Sequence, residues 1–101
     1  MSRIVKEGIP AGDVQVVYDQ FVNSGYMPTF VRTNSDGLNV FIDFVFEPAT
    51  GAPYECRNWL TQADYDQLVY DLNAAGYTQI CANVFNYQRA VYYCALWINQ
   101  N

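Results

Sequence analysis

Few residues in this chain have the types and spacing that chemistry needs. Cys56, Cys81 and Cys94 stand in a sequence with no histidine, so a serine or cysteine nucleophile activated by an imidazole base is out of reach. The cysteine spacings give neither C-x-x-C nor a zinc-ligand pattern, and three thiols cannot all pair within one molecule. Asn34-x-Asp36-Gly37 followed by Asp43 has the alternation of a calcium loop. Arg32 would fill its first ligand position and an aspartate its last, so the run reads as a turn. Catalysis by paired carboxylates needs two acids in one cleft. Asp13, Asp64, Asp66 and Asp71 fall instead on helix starts or wet helix faces. Asp43 lies near Arg32 on a semi-apolar strand face and is expected to form an ion pair with it. These residues supply no catalytic constellation, no metal set and no cofactor motif, and the chain is expected not to be an enzyme.

What remains is contact chemistry. Phe41, Tyr92 and Phe85, with Asn83, Arg32 and Asp43, combine flat rings with amide and charged groups. Such a set can pack against a protein, or stack on sugar rings while accepting hydroxyls. These six are the candidate binding residues.

The elements that position them occur twice. Residues 9–48 slide onto 60–99 without a gap, an offset of 51. Asp13 meets Asp64; Val14, Val17 and Phe21 meet Tyr65, Leu68 and Leu72; Gly25-Tyr26 meets Gly76-Tyr77; Phe46 meets Trp97. A register of 52 would gain identities but insert a residue into a helix and rotate the following face by about 100°. The recurrence of apolar spacing, helix start, helix stop and hairpin in one register marks a repeated supersecondary unit.

Each unit opens with an extended segment, residues 3–6 and 54–59. A helix follows, with apolar residues at i, i+3, i+4 and i+7: Val14, Val17, Tyr18 and Phe21, then Tyr65, Leu68, Val69 and Leu72. Thr61 is a natural N-cap with Asp64 three residues on, where a carboxylate faces the helix dipole. Gly25 and Gly76 stop the helices by entering the left-handed region.

A hairpin closes each unit. Asp36-Gly37 predicts a two-residue turn, which sets Thr29 opposite Phe44, Val31 opposite Ile42 and Thr33 opposite Val40. Tyr87-Gln88 is a poor turn pair and predicts a looser loop. Pairing about it places Cys81 opposite Cys94, where two reduced, half-buried thiols are expected, because a bridge between adjacent strands is strained.

The expected architecture is α+β: two tandem β-α-β-β repeats with pseudo-twofold symmetry, and a mainly antiparallel sheet with both helices on one face. Residues 1–101 form a single domain, with repeat one at 1–48, a Pro/Gly connector at 49–53 and repeat two at 54–101. Alternation assigns Val31, Val40, Ile42, Phe44, Phe46, Ile80, Ala82, Val84, Val91, Tyr93, Ala95 and Trp97 to the helix-covered face. It assigns Phe30, Arg32, Phe41, Asp43, Val45, Cys81, Asn83, Phe85, Tyr92, Cys94, Leu96 and Ile98 to the opposite face. That second face is more apolar than a solvated sheet face should be, which marks a binding surface or an interface between copies.

Composition narrows the partners. At 101 residues, with 51% apolar and 15% charged residues, the chain can bury a modest core. The net charge of −5, with no basic stripe, disfavours nucleic acid and anionic membrane surfaces. The N-terminal residues have no apolar stretch of signal-peptide type, so a cytoplasmic protein, or a secreted one with its leader removed, is expected.

The run Leu60-Thr61-x-x-Asp64-Tyr65-x-x-Leu68-x-x-x-Leu72-x-x-x-Gly76-Tyr77, with a hairpin ending Val91-Tyr92-Tyr93-Cys94-Ala95-Leu96-Trp97, resembles the bacterial tandem repeat unit. That unit occurs at the N-terminus of polyglycine hydrolases and of some serine hydrolases of the β-lactamase class. The second copy matches closely; the first carries Pro10 for the Thr and Phe46 for the Trp. The resemblance implies a non-catalytic accessory repeat and transfers no catalytic residue. The expectation is an interaction module that forms a homodimer or binds a protein partner through its aromatic-rich sheet face. The alternative is a small carbohydrate- or ligand-binding domain using the same face.

Overall fold

The computed structural model describes residues 2–100. Unit one consists of β1 (Ile4–Pro10), a 3-10 turn at Ala11–Asp13, α1 (Val14–Asn23), β2 (Tyr26–Ser35) and β3 (Val40–Pro48). Unit two repeats the order with β4 (Tyr54–Leu60), α2 (Gln62–Ala74), β5 (Thr78–Tyr87) and β6 (Ala90–Ile98). The strands form two three-stranded antiparallel sheets, ordered β1-β3-β2 and β4-β6-β5, in place of one common sheet.

The 51-residue register holds down to backbone irregularities. Both first strands slip register at equivalent places, between Lys6 and Ile9 and between Arg57 and Leu60. Both second strands do so between Pro28 and Phe30 and between Gln79 and Cys81. Thr61 caps α2 by accepting the Asp64 N–H at 3.2 Å. Gly25 and Gly76 sit at φ 92° and 90°, and the N–H of Tyr77 reaches back to the Leu72 carbonyl at 2.9 Å to close a Schellman end.

The hairpins differ from the sequence reading. Val31 pairs with Phe44, Thr33 with Ile42 and Ser35 with Val40, because the Asp36 carboxylate accepts the N–H groups of Leu38 and Asn39 and holds a four-residue loop. In unit two the turn is Gln88-Arg89, tight and with both residues at positive φ, 48° and 68°. That pairing sets Asn83 opposite Cys94 and Cys81 opposite Leu96, so the two cysteines do not face each other. All three thiols are free.

Each helix packs on its own sheet. Tyr18 and Phe21 of α1 lie on Phe44 and Phe46, and Tyr65, Leu68, Val69 and Leu72 of α2 lie on Ala95 and Trp97. The units then meet head to tail rather than about a twofold axis. The helix-side residues Val31, Val40 and Ile42 of unit one share a core with Phe85, Cys94 and Leu96, which come from the opposite, outer face of sheet two. A twofold axis would have brought like residues together. The next unit's outer face covers the part of sheet one that carries Val31, Val40 and Ile42.

Two further assignments are corrected by this stacking. Ile80, Ala82, Val84 and Val91, read as helix-covered core, are exposed. Phe85, Cys94, Leu96 and Ile98, read as a far surface, are buried.

Candidate functional site

The junction between units is built from side chains that imitate a strand. β2 is an edge strand, and β5 runs beside it without a backbone ladder, apart from a parallel bridge between Gly37 and Tyr87. The Asn83 amide fills the gap. Its Nδ2 donates to the Thr33 carbonyl at 2.7 Å, and its Oδ1 accepts the Thr33 N–H at 3.1 Å. Cys81 does the same for Val31, its Sγ lying 3.5 Å from both the N–H and the carbonyl oxygen. Thr33 also donates through Oγ1 to Asn58 at 3.2 Å. Buried edge groups would otherwise stay unpaired, which costs about 1–3 kcal/mol each.

Of the six candidate binding residues, Asn83, Phe85 and Tyr92 therefore lie in or against this seam, and Phe85 is 4% exposed. Arg32, Phe41 and Asp43 belong to the outer face of sheet one, with Phe30 and Val5, where Phe30 and Phe41 are exposed. Arg32, Asn83 and Phe85 do line one groove between β2 and β5, of about 570 Å³. The expected Arg32–Asp43 ion pair is not formed. Asp43 instead accepts the Gly8 N–H at 2.8 Å and the Asn34 amide at 3.2 Å, which fixes the bulge in β1. Arg3, Val5, Glu7, Phe30, Arg32 and Asp43 surround a shallow concavity of about 630 Å³ on this face.

Trp59 was missed by sequence reasoning. It stands at φ 61°, a left-handed conformation that bulky side chains avoid. Its equivalent is Gly8, at φ 66°, so the gapless alignment already carried the signal by pairing a glycine with a tryptophan. The strained backbone sets the indole edge-on to Phe85, Tyr87 and Tyr92, with centroids 5.2–5.3 Å apart. Trp59 remains 39% exposed. With Leu38, Asn39, Phe41 and Tyr87 it lines a cavity of about 290 Å³ at the hairpin end.

The ionisable groups of the seam are held neutral. Burial pushes the Cys94 thiol up to about 11, and it raises Cys56 and Cys81 as well, Cys56 further by its neighbouring thiols. Burial also raises Tyr18, beside Cys56 and Tyr54. Thiols held this way are poor nucleophiles near neutral pH. Among the described residues no group of cysteines and carboxylates is placed to hold a metal ion, and no helix is long and apolar enough to cross a membrane. Shape, rings and edge hydrogen bonds are what these surfaces offer.

A protein-family model described as polyglycine hydrolase-like, structural repeat, matches residues 5–41 and again 51–100. Each match falls on one unit, the second covering unit two whole and the first ending at the start of β3. Neither the curated proteins nor the solved structures gave a match.

Proposed function

We propose, from the premise that this chain belongs to the polyglycine hydrolase-like structural repeats, that it is a non-catalytic interaction module whose outer sheet-one face docks on protein. One observation supports this reading above the others. The equivalent outer face of sheet two is already a docking face, since Phe85, Cys94 and Leu96 pack against unit one. On sheet one the positions equivalent to Cys81, Tyr92, Cys56 and Leu96 carry Phe30, Phe41, Val5 and Val45, the first three exposed, and those equivalent to Phe85 and Cys94 carry the polar Asn34 and Asp43.

A second copy of the chain is the simplest partner. The concavity alternates Arg3 and Arg32 with Glu7, Asp43 and Glu47, so a face-to-face pair can set opposite charges together around its rings. Sedimentation from micromolar to submillimolar concentration should show a reversible dimer. Phe41→Asp should abolish it and leave the circular dichroism spectrum unchanged. A chain that stays monomeric and captures no protein partner would overturn the proposal.

Carbohydrate binding is the second reading, favoured by the strained, half-exposed Trp59 beside Phe41, Tyr87 and Asn39. Sugar rings stack their C–H groups on the faces of exposed aromatic rings, and an amide accepts from or donates to hydroxyls. Saturable quenching of tryptophan fluorescence by an oligosaccharide, lost in Trp59→Gly, is the outcome expected of that reading.

A further inference from the structure

The two ends of the stack are finished differently. Val31, Thr33 and Val40 are sealed by the outer face of sheet two, and Val40 is 6% exposed. Their equivalents in unit two are Ala82, Val84 and Val91, all exposed, with Val91 at 51%. Ile80 beside them is exposed too. The sheet edge repeats the pattern. β2 is the edge strand of sheet one and is capped by Cys81 and Asn83. β5 is the edge strand of sheet two, and the positions equivalent to Val31 and Thr33 are Ala82 and Val84.

We propose that this open end, formed by Ile80, Val84 and Val91 with the β5 edge at Ala82 and Val84, is the docking site for a further repeat of the same family. The repeat would seat as unit two seats on unit one. The internal seam specifies its chemistry: an apolar outer face, with an amide at the position of Asn83 to bond both backbone groups of Val84. The first unit of another copy does not meet that description. It carries Arg32 where unit two has Asn83, and Asp43 where unit two has Cys94. Seating it would take two charges out of water, at several kcal/mol each. Those charges also stop a head-to-tail contact from running on into a filament. This site lies on the opposite side of the molecule's stacking order from Phe41, so it stands or falls independently of the dimer face.

A copy of residues 51–101 joined directly after Asn101 preserves the 51-residue spacing and supplies such a repeat. The three-unit chain should unfold in one transition at a higher temperature than the parent. Amide exchange at Ala82 and Val84 of the central unit should slow at least about tenfold. Val84→Asp in the central unit should restore fast exchange, yet leave the melting of the unextended chain unchanged. Asn→Ala at the appended copy's equivalent of Asn83 should weaken the protection. Separate transitions with unchanged exchange would overturn the proposal. So would concentration-dependent chains of the parent protein that Val84→Asp dissolves, because its own first unit would then be the occupant.

Discussion

Units one and two share caps, bulges and strand order, yet equivalent residues meet opposite surroundings. Thr33 is 2% exposed and Val84, its counterpart, is 53% exposed. Conversely Phe41 and Phe30 face solvent, whereas the matching Tyr92 and Cys81 are packed against the shared core. The polar residue is buried and the apolar one bare, the reverse of what single residues prefer. Side-chain type within a unit thus decides less than the unit's place in the stack. Thr33 tolerates burial because Asn83, Asn58 and the Cys94 thiol satisfy it. In a repeat protein the neighbour term, absent from either unit alone, determines which face is core.

The sharpest way to break this comparison is to place the same charge at equivalent sites. Val40→Asp puts a carboxylate in the shared core with no partner and should cost more than about 3 kcal/mol, enough to unfold much of a domain this small. Val91→Asp should change stability by less than about 0.5 kcal/mol. Urea denaturation of both variants checks the pair. Equal losses would mean that Val91 is as covered as Val40, and the head-to-tail asymmetry would be gone.

A smaller effect is expected at the seam's amide. Asn83→Ala leaves both backbone groups of Thr33 without their partners and should cost about 1–3 kcal/mol. Arg32→Ala, at the equivalent position, should be nearly neutral because its side chain is exposed. Thermal melts read the difference, and exchange at the Thr33 amide should quicken in Asn83→Ala alone. An Asn83→Asp variant adds a diagnostic: it keeps an acceptor for the Thr33 N–H but loses the donor to its carbonyl, so it should not restore stability.

Much of this geometry was legible in the sequence, and the boundary has a physical cause. The 51-residue register, the Thr61 cap and the Gly25 and Gly76 stops are local, set by periodicity and backbone freedom that neighbours seldom override. Alternation also separated Ala95 and Trp97, which lie under α2, from Cys94 and Leu96, which lie against unit one. It could not say what covers a face. Ile80, Val84 and Val91 carry the same pattern as Thr29, Thr33 and Val40, and only the presence of a following unit separates them. The first hairpin failed for a different reason: Asp36-Gly37 is a strong turn pair, but the Asp36 carboxylate captured two later N–H groups and widened the loop. In the second, Gln88 and Arg89 accept positive φ against their preference, because the strand twist and the long β5–β6 ladder favour a tight turn.

The finest test concerns the paired positions Gly8 and Trp59, which hold one backbone conformation with the smallest and the largest side chains. A Cβ at Gly8 would meet nothing within 4 Å, so Gly8→Ala isolates the cost of φ 66° itself, about 1 kcal/mol. Trp59 must bear a similar strain, offset by its edge contacts to three rings at about 0.5–1.5 kcal/mol each. Because the indole is half exposed, its three contacts are taken at the low end of that range, about 1.5 kcal/mol together against about 1 kcal/mol of strain, so Trp59→Gly should shift stability by no more than about 1 kcal/mol. A loss above about 3 kcal/mol would instead make the indole a core group, as in large aromatic truncations. The case for an exposed aromatic surface at the hairpin end would then fall. A near-neutral result leaves the strained tryptophan without a stabilising role, which is the pattern expected where backbone strain serves contact with another molecule.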